Sequence, residues 1–425
     1  MAKCYGTSRS RPEPRGGQKR RPALYSTYPS ILPCPDRNAG TGLFLLLLRL
    51  KSLDKVLEVL ATVPRDPEQK LAASQRSYGL ALGKTRAALG YSVQQIDRST
   101  VLAALVLDIV EKVLSTSGRP LSAHVDGALG LVKLIGIGRF KDSTSLQVLI
   151  SLTNQSMIGS LALQQPIHPD VVSLRSWLEA GLLAGQYPTG VTELFVRYAV
   201  LQSRFSTNCT ANDAYVLECY SMDSEIAGLE LNMPPLWQYQ TIELDAASQG
   251  RFGQYCHVYP HRNICQARNL IRVCRLLLNE AVLEYASPSA VDGASAGLTD
   301  IARDNAIRLA GEIYTSVAQF ADCRTHAKHS QSHVPNKVPD VTNCRSHSPT
   351  HTGDCYTLIF PLYAAGRTHI SKHMKHQILN YLYYIADHFR IRNAKNIAQS
   401  LEREQGRQPG VWDVYAKLGS YAFHM

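Results

Sequence analysis

The sequence lacks the features by which secreted and membrane proteins are recognised. Its ten cysteines are scattered over 425 residues without a C-x-x-C pair, so the dense disulfide framework of small secreted domains is missing. No apolar signal segment follows the basic N-terminus. The apolar run at 43–48 is closed by Arg49 and Lys51, far short of the roughly 20 apolar residues that a transmembrane helix needs. We therefore expect a soluble intracellular protein that makes no membrane contact.

The excess of positive charge is concentrated at the N-terminus. The formal net charge is +11. Seven basic residues oppose one glutamate within residues 1–22, a local charge of +6 that leaves +5 for the other 403 residues. The body is therefore not expected to bind nucleic acid through charge alone. The basic group Lys19, Arg20 and Arg21 is typical of a nuclear import signal, and it is equally compatible with a solvated basic tail.

Hydrophobic periodicity predicts an all-α fold, a large irregular multi-helix bundle that follows a disordered basic tail. Residues 1–42 are rich in proline and poor in aliphatic residues, which favours disorder, and residues 43–425 are expected to form one helical domain. Leucines recur every three or four residues from Leu43 to Leu60. They predict a helix that packs on its own domain or, as the alternative, a short coiled coil that forms a homodimer.

The order of helices can be read along the chain from apolar patterns and helix breakers. Residues 223–260 are interpreted as a long connection and residues 322–355 as a disordered polar loop, because both segments interrupt the helical pattern. No alternating stretch is long enough to predict a sheet. Helices are predicted at about 68–89, 100–114, 121–135, 263–285, 299–320, 367–389 and 392–405.

Several of these segments resemble one known family when they are taken in order. The segments are Y-G-L-A-L-G-K-T-R-A-A-L (78–89), L-A-A-L-V-L-D-I-V-E (102–111), A-H-V-D-G-A-L-G-L-V-K-L-I-G (123–136), A-G-E-I-Y-T-S-V (310–317) and I-F-P-L-Y-A-A-G (359–366). Together they resemble the fungal-specific transcription factor domain, the regulatory region of fungal zinc binuclear cluster transcription factors. The resemblance extends over about residues 70–405.

The resemblance implies a nuclear regulator whose helical domain acts through partners or small molecules. In the family a zinc binuclear cluster reads DNA, with a helix in the major groove, and it needs six cysteines. The first 70 residues contain only Cys4 and Cys34, so the zinc cluster is absent. Either the gene model lacks its first exons or the protein is a cluster-less paralogue. We expect it to act through transcriptional co-regulators or a DNA-binding family member, and to bind DNA only if a zinc cluster lies upstream.

Residues 323–355 contain the strongest candidates for metal binding. Cysteine and histidine at short spacings can supply zinc ligands, and the alternative is a solvated insertion, which the polar composition favours. The candidate ligands are Cys323, His326, Cys344, His347 and Cys355, with His329, His333 and His351 between them.

The sequence contains no catalytic motif in the structural context that its chemistry needs. Residues 79–85 resemble a phosphate-binding loop, but they have three residues between the glycines instead of four. No His-Glu-x-x-His pair is present, and the Gly-x-Ser-x-Gly match at 293–297 has no predicted strand before it, which a nucleophile elbow requires. We therefore expect no enzymatic activity, no catalytic residues and no cofactor in this chain. The alternative is a helical small-molecule-binding protein or enzyme.

Overall fold

The computed structural model describes ten parts of the chain. The predicted tail at 1–42, the import candidates Lys19, Arg20 and Arg21, the leucine ladder at 43–60 and the metal candidate Cys344 lie outside them. The described residues are 67–90, 98–114, 123–181, 190–207, 213–286, 294–330, 347, 349–368, 370–403 and 410–418.

The described residues form an all-α structure, which confirms the predicted fold class. No helix among them is long and apolar enough to cross a membrane. The helices are α1 (Pro67–Leu89), α2 (Arg98–Leu114), α3 (Ala123–Ile135), α4 (Ser143–Ala162), α5 (Pro169–Gly181), α6 (Val191–Thr207), α7 (Asp213–Leu231), α8 (Ala246–Phe252), α9 (Arg262–Tyr285), α10 (Ala294–Thr315), α11 (Ala318–Ala321), α12 (Cys323–Ser330), α13 (Pro349–Tyr356), α14 (Ile359–Arg367), α15 (Lys372–His388), α16 (Arg392–Glu402) and α17 (Val411–Leu418).

Side-chain caps fix where several helices begin. The carboxylate of Asp142 accepts a hydrogen bond of 3.0 Å from the backbone N–H of Ser145 at the start of α4, and Asp245 accepts one of 3.1 Å from Ser248 at the start of α8. The hydroxyl of Ser371 does the same for α15. Each cap satisfies a backbone donor that has no partner within the helix.

The segment at 223–260 contains structure that the sequence reading missed. Strand β1 (Gln240–Glu243) pairs antiparallel with β2 (Tyr255–Val258), with Gln240 opposite Val258, and α8 lies between the two strands. The predictions of a long connection and of no sheet were therefore wrong here. Strands of four residues are too short to show a clear alternation of polar and apolar residues, and packing of β2 against α10 and α11 holds the pair in place.

Buried side chains form two hydrophobic cores. The smaller core lies among α1, α2, α3, α5 and the first half of α4. As its all-round apolar pattern predicts, α2 is enclosed there, with residues 101–108 buried. The larger core includes the second half of α4 and extends through α6 to α17. Its central helix is α9, which is buried over most of its length and contacts α7, α10 and α14.

The predicted polar loop at 322–355 is helical at both described ends. Asp322 precedes α12 and accepts hydrogen bonds from the backbone N–H of Arg324 at 3.0 Å and from the hydroxyl of Thr325 at 2.8 Å. In α13, His351 and Cys355 are buried against the larger core. The loop prediction therefore needs correction at 323–330 and 349–356, because tertiary contacts and an Asp cap stabilise helices that the polar composition does not predict.

Candidate functional site

Three side chains from distant parts of the sequence converge at one edge of the larger core. They are Cys323 at the start of α12, His347, and His388 at the last residue of α15; we call them the Cys/His cluster. The Sγ atom of Cys323 lies 3.4 Å from Nε2 of His347 and 3.3 Å from Nε2 of His388, and the two Nε2 atoms lie 3.2 Å apart. All three residues are partly exposed, so the cluster is accessible from solvent.

Aromatic rings hold both histidines in place. The ring of His388 stacks on Tyr384, one helical turn earlier, with ring centroids 4.8 Å apart. The ring of His347 lies 4.2 Å from that of Phe389 and 5.2 Å from that of His351. The guanidinium of Arg251 lies 4.5 Å above the Tyr384 ring. The imidazoles are therefore oriented by packing before any ligand binds.

Both imidazoles of the cluster favour their neutral form. Burial lowers the pKa of His347, and the neighbouring His388 and His326 lower it further. Burial also lowers the pKa of His388, with a smaller contribution from the positive charge of Arg251. A neutral imidazole offers a lone pair that can bind a metal or accept a hydrogen bond.

The structure brings together some of the predicted metal ligands and separates others. Cys323 and His347 meet in the cluster. The ring of His326 instead stacks on His351, 3.7 Å between centroids, with its Nε2 atom 3.4 Å from Asp354. The buried thiol of Cys355 donates to the Phe320 carbonyl at 3.2 Å, and burial raises its pKa. Neither His326 nor Cys355 belongs to the three-residue group.

Sequence reasoning missed His388. It lies 41 residues after His347 in a segment without nearby cysteine, so spacing rules could not connect it to the other two ligands. It joins the cluster because α15 brings its last residue against α12. The sequence offers only a weak signal for His388, its position in the last turn of a predicted helix. That signal is not specific for a metal ligand, because a basic residue there also suits the helix dipole.

A second feature is an apolar pocket between α6, α7 and α9. It is open on one side, and the space between its walls, about 300 Å³, includes open solvent. The only polar side-chain atoms in the lining belong to Tyr198 and Cys274, and burial raises the pKa of both groups well above its usual range. The pocket is lined by Val191, Leu194, Phe195, Tyr198, Ile226, Leu229, Ile271 and Cys274.

A buried ionic network lies beside this pocket. The guanidinium of Arg275, one residue after a pocket residue, donates to Asp223 and to Glu230, each at 2.7 Å. Asn305 of α10 donates to the same Asp223 at 3.2 Å. The network therefore connects α7, α9 and α10, and it fixes the spacing of two helices that line the pocket.

Comparison with known proteins gives no relative for this chain. No family model, no curated protein and no solved structure matches it. The pocket and the Cys/His cluster are therefore interpreted from their own geometry.

Proposed function

We propose that this chain is a regulatory domain of the fungal zinc-cluster class of transcriptional regulators, that it acts in the nucleus through partners, and that it performs no catalysis. The observation that carries this proposal is the apolar pocket between α6, α7 and α9, which is suited to bind a small apolar effector. Its lining is almost entirely apolar, as is usual for small-molecule sites.

The positions of the family-like segments support this proposal. The segment at 310–317 covers the last six residues of α10 and the two that follow, and the segment at 359–366 forms most of α14. These two helices pack against each other beside α9. In α14 every residue from 359 to 366 is buried. The two segments are thus neighbours in the larger core, as expected if they belong to one domain.

The pocket lining favours binding over chemistry. Burial keeps the Cys274 thiol and the Tyr198 hydroxyl protonated at neutral pH, so neither is an activated nucleophile. The hydroxyl of Tyr198 accepts a hydrogen bond of 2.9 Å from Gln202, which does not line the pocket. A ligand with a hydrocarbon surface fits this lining.

An effector could regulate the domain by shifting a conformational equilibrium. The pocket is bounded on one side by α6 and on the other by α7 and α9, which the Asp223–Arg275 pair holds together. A ligand that binds better when α6 lies close to the other two helices stabilises that arrangement in proportion to its difference in affinity. A co-regulator that contacts the exposed surface of α6 or α7 would sense the change.

A reporter assay tests this proposal. The full chain is fused to a heterologous DNA-binding domain, and we expect it to raise or lower expression of a reporter gene. Leu229→Trp, which fills the pocket from α7, should change that activity. Leu217→Trp is the matched control, because Leu217 is an exposed residue of the same helix. A silent fusion that accumulates in the nucleus at normal levels contradicts the proposal.

Nuclear import is tested separately. Replacement of Lys19, Arg20 and Arg21 by alanine in the fluorescently tagged full chain should move the signal from the nucleus to the cytoplasm. A tagged chain that is cytoplasmic before any substitution contradicts nuclear action.

The pocket also favours a second candidate function, that of a small-molecule-binding protein with no role in transcription. The discriminating result is a chain that retains an apolar ligand in native mass spectrometry while the reporter fusion stays silent. Loss of that ligand in Leu229→Trp but not in Leu217→Trp would place the ligand in the pocket.

A further inference from the structure

We propose that Cys323, His347 and His388 bind a zinc ion. This site is independent of the proposed regulatory function, because it lies at the edge formed by α12, His347 and α15, whereas the effector pocket lies between α6, α7 and α9. It is also distinct from the family's zinc binuclear cluster, which needs cysteines that the sequence lacks.

The distances within the cluster match those between ligands of one tetrahedral zinc ion. Zinc–sulfur bonds of about 2.3 Å and zinc–nitrogen bonds of about 2.0–2.1 Å, at tetrahedral angles, place sulfur and nitrogen about 3.6 Å apart and two nitrogens about 3.4 Å apart. The observed Sγ–Nε2 distances are 3.4 and 3.3 Å and the Nε2–Nε2 distance is 3.2 Å. The three atoms thus surround a point from which one ion reaches all of them.

Hydrogen bonds alone explain the three short distances of the cluster less completely than a bound cation does. Each Nε2 atom carries either one hydrogen or one lone pair, and the thiol of Cys323 has one hydrogen. Such a set of groups makes at most two well-directed hydrogen bonds among three mutually close atoms, which leaves one short contact without a hydrogen between its partners. A cation at the centre satisfies all three ligand atoms at once.

The ligand types favour zinc over other ions. One thiolate and two imidazoles are soft or intermediate ligands, whereas magnesium and calcium prefer oxygen. Copper also uses one cysteine and two histidines, in trigonal sites with a weak axial ligand. The partial exposure of all three residues allows water to complete a tetrahedral zinc site.

Zinc at this position would join segments that are far apart in sequence. Cys323 and His347 are separated by 24 positions, and His347 and His388 by 41. A metal that closes such long loops stabilises the folded state, because binding free energy becomes folding free energy. The expected role is therefore structural, and the ion would fix His347 and the start of α12 against the end of α15.

Cobalt substitution of the purified full chain tests the proposal. The chain is stripped with a chelator and titrated with Co²⁺, which we expect to bind in one equivalent with tetrahedral d–d bands and a thiolate-to-cobalt charge-transfer band. Zn²⁺ should then displace the cobalt and raise Tm. Cys323→Ser should lose the charge-transfer band, and His388→Gln should lose the bound ion. His376→Ala is the matched control, because His376 is an exposed histidine of the same helix, and it should leave binding unchanged.

Three results would overturn the zinc site. The first is a folded wild-type chain that binds no Co²⁺ or Zn²⁺, and the second is metal that Cys323→Ser and His388→Gln retain as well as wild type does. The third is copper instead of zinc in the chain as purified from cells, with an intense visible thiolate band, which would assign the cluster to copper. Circular dichroism shows whether each variant folds, and we expect both variants to fold because Cys323 and His388 are partly exposed.

Discussion

The two cores of the molecule are built differently. The buried side chains from α1 to α5 are mostly aliphatic, and Asp108 and Arg175 are the buried charges of the described part of those helices. In the larger core, three arginines of the central helix α9 are buried with acidic partners: Arg268, Arg272 and Arg275. The pocket and the Cys/His cluster both lie in the larger core.

The two cores therefore make different contributions: the smaller core mainly stabilises the fold, and the larger core also fixes the distances between helices. An aliphatic core gains stability from burial in proportion to area, and it tolerates substitutions that keep volume and pattern. A buried ion pair contributes little net stability, but loss of one partner leaves an uncompensated charge. The smaller core therefore acts as packing for α2, whereas the network of the larger core fixes the distances between helices that carry the pocket.

The largest expected effect comes from breaking the buried network. Arg275→Ala leaves Asp223 and Glu230 without their guanidinium partner, so we expect the free energy of unfolding to fall by about 3–5 kcal/mol. Arg303→Ala is the control, because Arg303 forms an exposed pair with Asp300, and it should cost under about 1 kcal/mol. Urea unfolding followed by circular dichroism measures both values. Equal losses for the two variants would mean that the buried network matters no more for stability than an exposed ion pair.

A cavity in the smaller core should lower stability without affecting the Cys/His cluster. Leu149 of α4 is fully buried, and Leu149→Ala should lower the free energy of unfolding by about 2–5 kcal/mol through lost burial and a residual cavity. Metal binding at the Cys/His cluster should not change, because that cluster lies in the other core. A folded Leu149→Ala protein with altered Co²⁺ affinity would show that the two cores are coupled.

Acid should destabilise the larger core through His257. Burial lowers the pKa of His257 to about 4; the positive charges of Arg272 and Arg268 also lower it, while Glu312 opposes them. The imidazole therefore stays neutral in the fold, whereas it takes up a proton near pH 6.5 in the unfolded chain. The neutral imidazole therefore contributes its full stabilisation above pH 6.5. As the pH falls from 6.5 to 4, the free energy of unfolding should decrease by about 2–3 kcal/mol.

The check is the pH dependence of unfolding for wild type and His257→Gln. The variant should lose part of the slope between pH 6.5 and 4, and His351, whose pKa is also lowered to about 4, should account for some of what remains. Parallel curves for the two proteins would contradict the assignment to His257.

Alanine substitutions at two helical glycines should have smaller effects on stability, of opposite sign for a tightly packed and an open position. A methyl group at Gly366 of α14 would overlap Leu401 Cδ2 and lie 3.2 Å from Ile378 Cγ2, so Gly366→Ala should cost about 1–3 kcal/mol. Gly127 of α3 has nothing within 4 Å of such a methyl, and Gly127→Ala should add about 0.5–1 kcal/mol of stability. Thermal unfolding of both variants tests the contrast, which fails if the two shifts in Tm have the same sign.

The parts of the fold that could be predicted from the sequence are those that depend on local patterns of apolar residues and helix breakers. The apolar repeat of α2 and the boundaries near Leu89, Tyr285 and Glu402 follow from helical periodicity and breakers, and the structure agrees within a few residues. Helix α14 at 359–367 is not among the helices predicted from the sequence, and Pro361 does not prevent it. This proline lies in the first turn, where its missing N–H costs nothing.

Features that depend on tertiary contacts could not be predicted in this way. The hairpin of β1 and β2 has strands of four residues, and His388 joins Cys323 and His347 only after α15 has packed. The spacing of Arg268, Arg272 and Arg275 at four and three residues does place them on one helical face. Periodicity alone does not reveal that this face is buried and paired with acids from α7 and α10.

Hydrogen–deuterium exchange of the full chain, with and without added Zn²⁺, tests the central claim that specific function resides in the larger core. We expect zinc to slow exchange in α12, α13 and the last turns of α15, with no change in α2, α3 or the first half of α4. Protection confined to the smaller core, or no protection in α12 and α15 at saturating zinc, would contradict the account.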